Sequence, residues 1–92
     1  MGTRFTKHAV DRCRNRAISE EAVEAAQMFG LHRAKSGADV YTIGWRQIAF
    51  YAQFGIDLSR WDGVEVVCAH NGLVLTVYRN RNPHAMRSRR AA

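Results

Sequence analysis

Proline occurs once and cysteine twice in this chain of 92 residues, and acidic side chains are outnumbered eight to fourteen by lysine and arginine. So little proline, together with a 47% hydrophobic content, excludes a disordered or polyproline chain over most of the length. Cys13 and Cys68 are far apart and form no CxxC pair, which argues against a disulfide scaffold and a redox motif. Both read as small core residues. The four histidines lack the tight spacing of a structural zinc site, so neither a metal nor another cofactor is expected. No run approaches the roughly 18 apolar residues of a membrane span. The opening Met-Gly-Thr-Arg-Phe-Thr-Lys-His also lacks the apolar stretch of a signal peptide. The expected location is cytoplasmic, with no membrane partner.

What the chain has in quantity is positive charge. A formal net charge of +6 and a pI near 10.2 favour polyanionic partners: nucleic acid, an acidic protein or an anionic surface. The length suits one domain, expected over residues 1–80. Residues 81–92 read as a basic tail, in which Arg81, His84, Arg87, Arg89 and Arg90 stand without a balancing acid.

The first third has helical periodicity. Thr6 can cap a helix from Lys7 to about Arg16, with Val10, Cys13, Ala17 and Ile18 as its apolar stripe. Ser19 can cap a second helix whose first turn carries Glu20 and Glu21, where the helix dipole favours negative charge. Ala22, Ala25, Ala26 and Phe29 supply its buried face, and Gly30 is its expected stop. The period then falls towards two. Strands are expected at Leu31–Lys35, Val40–Trp45 and Gln47–Phe54, with Ser36–Asp39 as a turn. For Gln47 to Gln53 a third helix is the alternative, because Ala49 and Ala52 are poor strand formers. Val64–His70 and Leu73–Arg79 form a hairpin about Asn71-Gly72. Helices segregated from an antiparallel meander define an α+β fold.

Two groups can carry chemistry. His8, Arg12 and Arg16 recur every fourth residue and so form one row along the first helix. Such a row repels itself slightly and becomes favourable beside an anion, because guanidinium forks match phosphate oxygens. Thr76 and Tyr78 share a face of the last strand by alternation, a face that also carries Val74, and Arg79 follows. Metal-independent RNA cleavage needs a base, an acid and a cation for the developing charge. His8, Tyr78, Arg12, Arg16 and Arg79 supply those types if the two groups meet, whereas a plain binding module needs only the arginines and the tail. The competing readings are a solvated helix face and a half-buried core tyrosine. His70 reads as a turn-flanking residue and His32 as unspecific, and His84 could approach a bound strand. Trp45, Tyr51 and Trp61 fit core anchors better than base-stacking surfaces.

The segment Phe5–Ser19 resembles the H-A-x-x-R-x-x-x-R-x-I-S opening of the bacterial domain-of-unknown-function family DUF4258, which is placed with RelE/ParE-like toxins. Val74–Arg79 is similar to that family's closing strand, apolar residues followed by T-V-Y-R. The resemblance implies two N-terminal helices packed on a curved antiparallel sheet. It suggests His8, Arg12 and Arg16 as a polar opening set with Thr76 and Tyr78 opposite; the leading reading takes these five as the catalytic set, with Lys7, Arg79, Arg81 and Arg87 contacting phosphate. The function it implies is a toxin-type endoribonuclease acting on RNA, including ribosome-bound mRNA, and neutralised by an acidic antitoxin. A gyrase-poison-like or inactive binding module is the alternative. Ala17 departs from the family pattern, which has glycine there, and this bears on the bend between the helices.

Overall fold

The computed structural model describes residues 4–80, so Arg81, His84 and Arg87 and the rest of the expected tail lie outside the described residues. The chain runs α1 (Lys7–Asn15), α2 (Glu20–Phe29), β1 (Leu31–Lys35), β2 (Ala38–Thr42), α3 (Trp45–Ala52), β3 (Val64–Cys68) and β4 (Val74–Arg79). The strands form one antiparallel sheet in the order β1-β2-β3-β4. This is the α+β architecture expected.

Side-chain caps set both helix starts. Thr6 Oγ1 accepts the Ala9 amide at 3.1 Å, and Ser19 Oγ accepts the Ala22 amide at 3.1 Å. Helix α1 presents Ala9 to the core, fully buried, while Val10 is 40% exposed. The expected stripe is therefore rotated by one residue, with Ala9 and Cys13 inward. A larger side chain at position 9 would hold the helix away from β4, on which it packs. Helix α2 buries Ala22, Val23, Ala25 and Ala26 and lies against β3. Both helices cover one sheet face, where Val64, Val66, Cys68, Val74 and Val77 complete the core.

Between the helices the chain turns through Ala17, at φ 53°. The Ile18 amide donates to the Cys13 carbonyl at 2.9 Å and the Ala17 amide to Arg14 at 3.4 Å. That pair of bonds is the Schellman motif, which satisfies the last carbonyls of α1, and Ile18, 4% exposed, packs back as its apolar contact. The residue preceding the Ile-Ser pair thus adopts the conformation that glycine prefers.

The region expected as a strand at Gln47–Phe54 is instead α3, the alternative considered for it. Its aromatic content suits a strand, but Ile48 and Tyr51, three residues apart, pack on the core while Phe50 and Phe54 face outward. Gln47 Oε1 accepts the Gly44 amide at 2.9 Å and so closes the first turn. The expected strand Val40–Trp45 consequently ends at Thr42. Gly63, at φ 83°, then lets the chain re-enter the sheet. A Cβ there would meet the Asn80 carbonyl, whose own amide donates to Gly63 O at 2.7 Å.

In the last hairpin the Asn71-Gly72 turn falls as expected, with Asn71 Oδ1 accepting the Leu73 amide at 3.1 Å. The pairing register changes at Cys68, from Val67↔Thr76 to Cys68↔Val74, leaving Leu75 as the extra residue. This bulge moves Val74 to the core face with Val77, so Val74 does not share the face of Thr76 and Tyr78.

Replacing Ala17 by glycine removes the cost of a left-handed L-residue. The Ala17→Gly variant is expected to gain about 1 kcal/mol in urea unfolding with an unchanged m-value. No gain, or a loss, would show that the helix junction is not strained as described.

Candidate phosphate-binding cleft

The row along α1 forms as its spacing requires, and it meets a residue from the far end of the chain. Arg12, Asn15, Arg16, Ala17 and Arg79 line one open cleft of about 490 Å³. Arg79 reaches it because Val64 and Arg79 are paired, which puts Arg79 on the helix-covered face, in line with Val77. Arg79 Nη2 also donates to the Arg60 carbonyl at 3.4 Å, tying the end of β4 to the preceding loop. Among the described residues no acidic residue contributes to the lining, which includes three arginines.

His8 sits one turn before Arg12 and is exposed, and its Nε2 accepts from Arg12 Nε at 3.4 Å. In that arrangement the proton of the neutral ring is on Nδ1. Lys7 is exposed at the start of α1. Of the residues singled out from sequence, the structure therefore unites Arg12, Arg16 and Arg79, with His8 at one end of the row.

Thr76 and Tyr78 are elsewhere. Tyr78 pairs with Glu65 and Thr76 with Val67, and all four lie on the sheet face turned away from α1 and α2. There Glu65, 3% exposed, collects a buried network. Its Oε2 accepts from Thr42 Oγ1 at 2.8 Å and from Arg33 Nη2 at 3.2 Å, and Tyr78 is the cross-strand neighbour of the same residue. Burial first, and then the neighbouring Glu65 carboxylate, push the Tyr78 hydroxyl up to about 12. Tyr78 therefore lies beside Glu65 and not beside His8. The sequence reading needed the two groups to meet, and a sheet stands between them.

Another cluster was not anticipated. Asp39 Oδ1 lies 2.7 Å from His32 Nε2 and Asp39 Oδ2 lies 3.0 Å from His70 Nδ1. These hydrogen bonds, the one from His32 being the larger effect, hold the Asp39 carboxyl below its usual range. The carboxylate straps the β1–β2 hairpin to the β3–β4 loop. A signal for half of it was available: Ser36 and Gly37, both at positive φ, make a two-residue turn that fixes Ala34 opposite Asp39 and places His32 diagonally on the same face. His70 comes from 31 residues away, and no local pattern announces it. Asn15 and Arg60 were also missed, since an asparagine in a helix and an arginine in a loop carry no spacing signal.

Among the described residues no group of three or more His, Cys, Asp or Glu side chains is placed to hold a metal ion, and no helix is long and apolar enough to cross a membrane. Comparison with family models, with curated proteins and with solved structures returns no match.

Two pH dependences follow from these networks. Tyr78 ionises near 10 when unfolded and near 12 when folded, so stability is complete below pH 10 and falls as pH rises between those values. Tyr78→Phe should flatten that alkaline fall and remove the latest phenolate absorbance step; an unchanged profile would place the tyrosine in solvent. For Asp39 the sign is reversed. Its lowered folded pKa contributes stability above the usual carboxyl range, which is lost as pH falls through the folded value. Asp39→Asn should therefore be less stable than wild type at pH 7, with the difference narrowing in acid. A constant difference down to pH 2 would mean that the strap is not electrostatic.

Proposed function

We propose that this protein is a toxin-type, RNA-engaging domain whose cleft holds backbone phosphates through Arg12, Arg16 and Arg79. The observation that carries the reading is that three arginines, from two distant segments, line one open space to which no acidic residue contributes among the described residues. A purely structural account exists for part of it. Arg12 and Arg14 stand in the last turn of α1, where cations gain about 0.3–1 kcal/mol from the helix dipole. That account does not reach Arg79, which is on a strand. Grouping it with the others has an electrostatic cost, and a bound phosphate turns that cost into attraction.

The likeness of the opening and closing segments to RelE/ParE-like toxins supplies the toxin part of the reading. Between cleavage and binding, the geometry favours binding. The cleft has cations and an adjacent imidazole, but the hydroxyl that sequence reasoning paired with His8 faces the other way. An acidic antitoxin segment would find the same three arginines, so it is expected to compete with RNA for them.

The test is equilibrium binding of a labelled single-stranded RNA at several salt concentrations. Arg12→Ala, Arg16→Ala and Arg79→Ala should each weaken binding and lower the slope of log K against log salt by about 0.7. Slopes equal to wild type in all three would sink the cleft as the binding site. The same preparations incubated with RNA in EDTA address cleavage directly. Metal-independent scission lost in His8→Ala would restore the endoribonuclease reading.

A further inference from the structure

Beside the cleft is a feature that phosphate binding does not use. The short 3-10 turn Ser59–Trp61 is held rigidly: Asp57 Oδ1 accepts from the Ser59 amide at 2.9 Å and from its hydroxyl at 2.6 Å. Leu58 is fully buried below the turn, and Trp61 packs against the core. Arg60 points out of this support, with its side chain 67% exposed, and its guanidinium lies over the Trp61 ring at 4.5 Å from the centroid. The carbonyl of the same Arg60 receives the hydrogen bond from Arg79, a residue of the cleft. A cation–π pair thus abuts the phosphate site and is fastened to it.

We infer that Arg60, seated on Trp61, is a nucleobase-stacking step, and that the ligand of the adjoining cleft is single-stranded RNA. The inference rests on the phosphate-binding reading above and specifies its substrate. A guanidinium is planar and weakly hydrated, so with one face on an indole its other face offers a flat surface for a base. Two observations separate this from a fourth phosphate contact. Glu21 Oε2 lies 3.9 Å from Arg60 and opposes a second phosphate there, while a carboxylate accepts readily from the exocyclic amines of bases. The supporting turn is also rigid, so a base that stacks there orders little of the protein. Phosphates of a strand in the cleft would leave the next base within reach of this surface. A duplex cannot use it, because its base faces are already stacked inside the helix.

The measurement is binding of three probes of equal length: a single-stranded RNA, an abasic strand with the same number of phosphates, and a blunt RNA duplex. Wild type is expected to prefer the base-bearing strand to the abasic one by about 10-fold, the scale of one stacked base. Arg60→Lys keeps the charge and removes the planar face. It should abolish that preference while leaving abasic affinity and salt slope as they were. Equal binding of base-bearing and abasic strands by wild type, with binding still dependent on Arg12, would overturn the stacking step and leave the phosphate cleft standing. Duplex binding as tight as the single strand would also overturn it. Failure to bind any of the three would remove the phosphate reading and this one together.

Discussion

Strand β4 is held from both sides. Its inner neighbour is β3. Along its outer edge Val74 donates to the Arg4 carbonyl at 2.8 Å and accepts from the Thr6 amide at 2.9 Å, just before α1 begins. Thr6 then spends its hydroxyl twice, capping α1 and donating to the Leu75 carbonyl at 3.2 Å. The start of the helix is therefore registered against the strand by backbone bonds rather than by side-chain packing alone. The candidate site depends on that registration, because it brings Arg12 and Arg16 alongside Arg79, a residue 63 positions from Arg16 in sequence. The extra residue at Leu75 completes the arrangement by placing both Val74 and Val77 on the core face.

Much of this order was legible in sequence because it is local. Caps at Thr6 and Ser19, the acidic first turn of α2, the Asn71-Gly72 turn and the four-residue spacing of His8, Arg12 and Arg16 are all set by residues within one or two turns. Segregation of helices from strands gave the α+β class on the same basis. The failures have equally definite causes. Aromatic residues suit strands, yet at Trp45–Ala52 a helix places Ile48 and Tyr51 together on the core and leaves Phe50 outside. Ala9 displaced Val10 because the close approach of α1 to β4 rewards a small residue, a tertiary condition invisible in the helix's own pattern.

The candidate site divides in the same way. Its arginines were found because two are periodic and the third ends a recognisable strand. The separation of Tyr78 from His8 was equally implicit in alternation along β4, given one missing fact: which face the helices cover. Val77 pairs with Val66 in the core, so its neighbours Thr76 and Tyr78 must face the opposite way. The Asp39 strap lay beyond reach, because it unites three segments through a pairing that only the folded sheet defines.

The far face of the sheet carries its own constraint on chemistry. Glu65 is buried, and its carboxylate accepts from two donors, Arg33 and Thr42, with Tyr78 as its cross-strand neighbour. Arg33 Nη2 is shared between Glu65 and Thr42, while Arg33 Nε is buried with no partner among the described residues. To protonate a leaving group in the arginine cleft, Tyr78 would have to act from the opposite face of the sheet. Its raised ionisation range points the same way, since a hydroxyl that holds its proton to about pH 12 is poorly matched to proton transfer near neutrality. The sheet therefore separates two charge economies. On one face the buried Glu65 carboxylate is held by a cation and a hydroxyl. On the other, Arg12, Arg16 and Arg79 line a cleft to which no acid contributes among the described residues, so its local charge balance is the reverse of the one around Glu65.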